Sequence, residues 1–126
     1  LVGSEMCIRD SYAIGEKTQT ELVGRPVAGR TYDFAPVIGV FLKEHLFGDI
    51  FERDILNRQE RELATVGALA GIGNVNAQLT SHMRVSMNTG ISAEQLQETV
   101  RLLDKKAGPA TGSNAQRVLD SLLLQK

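Results

Sequence analysis

The chain has 126 residues, enough for one domain, with 42% hydrophobic and 23% charged residues and a formal net charge of −1. That near-neutral balance gives no basic face for nucleic acid, and no apolar run reaches the ~18 residues that a membrane-spanning helix needs. A lone cysteine, Cys7, excludes an internal disulfide framework, a C-x-x-C redox pair and a cysteine-based zinc cluster.

The first eleven residues, Leu1 to Ser11, resemble a translated sequencing-adaptor peptide and begin with Leu. They are expected to be non-native, so they and Cys7 are set aside from the functional reading, and the natural N-terminus, with any targeting signal, is expected to be missing. Residues 12–33 are polar and broken by Gly15, Gly24, Pro26 and Gly29. They read as a short helix over Ile14 to Val23 followed by an extended connector, because a residue preceding proline is pushed away from helix.

From residue 34 onward the helical signals strengthen. Asp33 is placed to cap a helix that opens with Pro36, carries Val37, Ile38, Phe41, Leu42 and Leu46 at helical spacing, and breaks at Gly48. Asn57 and Glu60 have capping-box spacing for a second helix, whose narrow face of Leu63, Val66, Gly67 and Ala70 suits close packing. Gly71, Gly73 and Asn74 end it. A third helix spans Asn76 to Asn88 with Leu79, Met83 and Met87 inward, and Gly90 closes it. Ser92 and Gln95 form the capping box of a fourth, with Leu96, Val100 and Leu103 inward and Gly108-Pro109 as its stop. A fifth, from about Ser113, carries Val118, Leu119, Leu122 and Leu123. No stretch alternates with period two for long, so the expected fold is an all-α bundle of about five helices.

Few residues can carry chemistry. His82 lies mid-helix at the border of the apolar stripe, with Gln78, Leu79, Val85 and Ser86 on its side. A half-buried imidazole beside a carboxylate is what a general acid/base requires; a structural histidine bonded to a carbonyl fits the same pattern. His45, placed in the last turn of its helix, is accounted for by the helix dipole. Glu62 is free of the cap, and a tight turn at Gly71–Asn74 would pack the flanking helices antiparallel and bring it toward His82. A surface salt bridge to Arg58 or Arg61 is its alternative. Gly71-Ile72-Gly73-Asn74-Val75-Asn76 imitates a dinucleotide-binding turn, but its third glycine is Asn76 and the preceding segment is not a strand. Ser81, adjacent to His82 on a helix, makes no nucleophile–base pair, and no metal-ligand spacing is present.

Taken together, Arg61-Glu62-Leu63, Ala68-Leu69-Ala70, Gln78-Leu79-Thr80-Ser81-His82, and Asn88-Thr89-Gly90-Ile91-Ser92 followed by Glu98 resemble the carboxymuconolactone decarboxylase family, over roughly Phe34 to Leu122. Asp33-Phe34-Ala35-Pro36 and Glu44-His45-Leu46-Phe47-Gly48-Asp49 are similar to the second repeat of tandem two-domain members, which implies that residues 34–126 are the family domain and 12–33 a linker or the remnant of a preceding domain. The resemblance implies the all-α, alkylhydroperoxidase D-like fold and assembly into trimers or hexamers. It also implies, for an active domain, a cofactor-independent lyase or isomerase acting on an acidic lactone.

In that frame His82 is the implied general acid/base, Glu62 its partner and Gln78 a substrate-binding residue. Two departures accompany the resemblance. The thiol-peroxidase members carry C-x-x-C, and the matching positions here are Val75 and Gln78, so peroxidase chemistry has no thiolate. Lactone decarboxylases commonly carry Glu four residues before the histidine, where this chain has Gln78. The competing expectation is a non-catalytic oligomerisation repeat whose chemistry resides in a partner domain.

Overall fold

The structure is a computed structural model that describes residues 2–125, and of residues 2–9 the backbone alone. Cys7 and most of the adaptor-like segment therefore lie outside the described side chains. Among the described residues there is no strand. The fold is all-α as expected, with seven α-helices and one π-helix among the described residues. The chain divides into two compact units, residues 1–57 and 58–126.

The first unit opens with α1 (Val2–Val23), which begins well before the Ile14 expected from sequence. After a loop come α2 (Arg30–Phe34) and α3 (Pro36–Phe41), and α3 runs directly into a π-helix over Leu42–Ile50. Two sequence expectations are corrected here. Asp33 lies within α2, and the residue capping α3 is Ala35, without a side-chain cap bond; Pro36 does occupy the first turn. Gly48 does not break the helix but is buried within its π-helical part.

The reason is contact with α1. A Cβ on Gly48 would overlap the Ser11 carbonyl oxygen, and a Cβ on Gly15 would overlap that of Lys43. Glycine at both positions lets the two backbones touch. Among the described side chains of α1, Leu22, Thr18 and Gln19 are buried. Polar ties complete the contact: Ser11 Oγ donates to Asp49 Oδ1 at 3.1 Å, and Thr18 Oγ1 to Glu52 Oε1 at 3.1 Å. Because the helix continues to Ile50, His45 is not in its last turn; its Nδ1 faces Asp49 Oδ2 at 3.7 Å, one turn along an exposed surface.

The second unit packs α4 (Arg58–Ile72), α5 (Asn76–Asn88), α6 (Ala93–Ala107) and α7 (Pro109–Leu123) around one core. Val66 and Ala70, Leu79 and Met83, Leu96 and Val100, then Ala115, Val118, Leu119 and Leu122 fill it, as their three- and four-residue spacings dictate. At ~25 cal/mol per Å², each fully buried side chain of this kind contributes roughly 1.5–3 kcal/mol of burial.

The α4–α5 turn reverses through Gly73 and Asn74, at φ of 72° and 56°, a region where Gly and Asn are the tolerated residues. Ser92 and Gln95 form the full capping box of α6, reciprocal bonds of 3.2 and 2.9 Å. Two helical details differ from expectation. α7 starts at Pro109, four residues before Ser113, since a proline at the first position needs no N–H partner. Gly67 is not a packing contact, because nothing lies within 4 Å of where its Cβ would be.

Candidate acid–base site on α4 and α5

Glu62 lies one turn before Val66 and two before Ala70, so helical period puts its carboxylate in line with the buried face of α4. Its side chain is 3% exposed. Facing it from α5 is His82, the residue before the fully buried Met83, with a side chain 38% exposed. The two meet at 2.8 Å, from His82 Nδ1 to Glu62 Oε2. The anticipated antiparallel packing of α4 and α5 is present, since Gln59 Nε2 also donates to the Thr89 carbonyl at 2.8 Å, low on one helix and high on the other.

The chemistry of the pair follows from its donors and acceptors. An ionised carboxylate only accepts, so the proton of the bond belongs to Nδ1. That assigns the lone pair of the neutral ring, or the second proton of the imidazolium, to Nε2. One nitrogen is thereby committed to the protein and the other kept for exchange, the usual consequence of an oriented histidine. The half-exposed ring can thus exchange a proton while the sealed carboxylate holds its orientation.

The backbone under the ring is tied down as well. Ser86 is fully buried, and its Oγ donates to the His82 carbonyl at 2.8 Å. Thr89 Oγ1 donates in turn to the Ser86 carbonyl at 2.7 Å. A buried serine one turn after the histidine was visible as a same-face neighbour, but its tether to His82 was not.

Gln78 is exposed, on α5 one turn before His82 and on the same side of that helix. Glu62 does not lie at the surface; its carboxylate is sealed against His82. Ser81 Oγ donates to the Ala77 carbonyl at 3.0 Å, so its hydroxyl serves its own helix. The Gly71–Asn76 segment joins two helices, which leaves no strand for a dinucleotide-binding turn. Among the described residues no three His, Cys, Asp or Glu side chains cluster as metal ligands would, and no helix is long and apolar enough to cross a membrane. A cleft of about 400 Å³ between α6 and α7, lined by Val100, Arg101, Asp104, Gly112, Ser113 and Gln116, does not include the pair.

Comparison with known proteins supplies the context for this pair. The model of the carboxymuconolactone decarboxylase family matches residues 38–118, which include Glu62, Gln78 and His82. The 4-carboxymuconolactone decarboxylase of Acinetobacter baylyi is 24% identical over 115 residues, covering 88% of this chain and 85% of that protein. With well over half of its length matched, this chain belongs to the carboxymuconolactone decarboxylase family.

Proposed function

We propose that the chain is a carboxy-lyase acting on a small acidic lactone, with His82 as its proton donor. The observation that carries this reading is the 2.8 Å bond between a sealed carboxylate and a half-exposed imidazole, on a chain of the decarboxylase family. In such a reaction the bond between the substrate carbon and its carboxylate breaks and carbon dioxide leaves. The bonding pair remains as a carbanion, delocalised toward the lactone carbonyl as a dienolate. Protonated His82 delivers one proton from Nε2 to that carbon and is reprotonated from water. Glu62 supports the step by holding the ring in one orientation and stabilising the imidazolium. Gln78, on the same face, supplies an amide to an oxygen of the substrate; it orients but exchanges no proton near neutral pH. The electron pair of the broken bond stays on the substrate and takes up the proton, so the step needs neither oxidant nor reductant.

We further propose that it works as a homo-oligomer, a trimer or hexamer as family resemblance implies. In the first unit Phe34, Val37 and Phe41 are 91%, 72% and 59% exposed, an apolar surface of the kind that associates. A monomer by analytical ultracentrifugation would remove this part of the reading.

The direct test is to incubate the chain with 4-carboxymuconolactone and follow carbon dioxide release, beside His82→Gln with its helical circular dichroism checked. Turnover by the parent and its loss in the variant are expected. No turnover by the parent would refute the lyase reading, and equal turnover by a folded variant would remove His82 from the mechanism.

A further inference from the structure

The first unit contains a cavity of about 310 Å³ lined by Glu16, Gln19, Thr20, Pro26, Val27 and Lys43. It has no part in the acid–base pair. Its centre of interest is Gln19, which is 4% exposed, yet its side-chain amide makes no hydrogen bond among the described residues. No fully sealed polar side-chain atom in the described part of the chain lacks a partner. The amide of Gln19 therefore keeps its residual access through the cavity it lines. An amide so deeply placed is costly unless something meets it.

The same chain shows how such an amide is satisfied elsewhere. Gln97 and Gln116 face each other with each amide nitrogen donating to the other's oxygen, and Gln116 Nε2 donates in addition to Asp120 Oδ1 at 2.8 Å. Among the described residues Gln19 has no such counterpart, and it lines the cavity.

The remaining lining sets the charge of what can enter. Lys43 Nζ donates to Glu16 Oε1 at 2.6 Å and to Tyr12 Oη at 3.1 Å, with its ammonium 4.9 Å from the centre of the Tyr12 ring. The Lys43–Glu16 pair is neutral as a unit, so a charged ligand gains nothing without breaking it. Pro26 and Val27 supply an apolar wall. The space would hold about ten waters at roughly 30 Å³ each, far more than one amide needs. Four polar or charged residues and the Pro26–Val27 wall line this space, which offers a small molecule both hydrogen-bonding groups and an apolar surface.

We propose that this cavity binds a small uncharged molecule that carries a carboxamide or lactam edge, an N–H beside a C=O, on an apolar body. That edge pairs with Gln19 as Gln97 pairs with Gln116, and the body lies against Pro26 and Val27. The site is separate from the lyase reading and stands or falls without it.

The test is a titration of the ¹⁵N-labelled full chain with benzamide, and with benzoate as its charged isostere, followed at the side-chain amide signals. The Gln19 signal is identified by its loss in Gln19→Leu. A saturable shift of that signal with benzamide is expected, with benzoate about tenfold weaker, as one mismatched hydrogen bond would make it. Gln19→Leu should abolish benzamide binding, and Val27→Trp, which fills the cavity from its apolar wall, should abolish the shift while keeping the Gln19 signal. No saturable shift at millimolar benzamide would mean that water alone fills the cavity and would overturn the proposal. So would equal binding of benzoate, or benzamide binding that survives either substitution in a folded protein.

Discussion

The Nδ1 of His82 lies 2.8 Å from a Glu62 oxygen, and the two side chains differ sharply in exposure, 38% against 3%. The carboxylate is part of the interior and the imidazole belongs half to the solvent. A bond between a sealed group and an accessible one fixes the first and orients the second.

Substituting Glu62 should separate these roles. Glu62→Gln keeps the size and one acceptor but loses the charge, so the fold should persist while lactone turnover falls by about 10²-fold or more. Glu62→Ala should cost in addition roughly 1–3 kcal/mol of stability by urea unfolding, from lost packing and an emptied polar position. Full activity in Glu62→Gln would show that the charge does not support the imidazolium.

Gln78→Ala tests the substrate contact. A single neutral hydrogen bond is worth roughly 0.5–1.5 kcal/mol, so KM should rise by about two- to tenfold with kcat changed less. An effect confined to kcat would place Gln78 in the proton transfer and contradict a purely binding amide.

Two glycines that look alike in sequence should respond with opposite signs. Gly48→Ala drives a methyl into the Ser11 carbonyl and should destabilise the first unit by about 1–3 kcal/mol. Gly67→Ala, in the interior of α4 with open space around it, should stabilise by about 0.5–1 kcal/mol through helix propensity. Thermal unfolding of both variants decides it, and a stabilising Gly48→Ala would refute the backbone contact.

Lys43 gives a prediction in pH. Its hydrogen bonds to Glu16 and then to Tyr12 raise its pKa above the ordinary 10.5, outweighing partial desolvation. A lysine whose pKa is higher folded than unfolded stabilises fully below 10.5, and the contribution disappears as pH climbs through the raised value. The stability difference between the parent and Lys43→Met should therefore be constant near neutrality and shrink in strong alkali. A difference that grows with pH would contradict this sign.

The second unit was legible because local signals and packing agree there. The close of α5 at Gly90 and the Ser92–Gln95 box follow from local turn and capping chemistry that needs no distant partner, and the core stripe of α6 follows from period alone. Glu62 was half legible. Its spacing to Val66 and Ala70 marks it as inward-facing, but charge argued for the surface, and only the opposing His82 resolves the conflict. The first unit was read less well, since Gly15 and Gly48 look like helix breakers until the helix each one touches is known. Asp33 failed as a cap because α2 had already begun before it, and Gly67 failed as a contact because no partner helix reaches it.

The π-helix over Leu42–Ile50 carries one consequence for how this segment tolerates change in length. Its wider winding brings positions five apart onto one side, so the Lys43 carbonyl and Gly48 both meet α1. In an ordinary α-helix residues five apart diverge, at about 100° per residue, and the two contacts could not be made together. Loss of a single residue between them would thus rotate everything downstream by roughly 100° and carry Gly48 off the side that meets α1. The segment is a vernier: its extra residue, rather than any one side chain, sets the phase in which the chain leaves this helix.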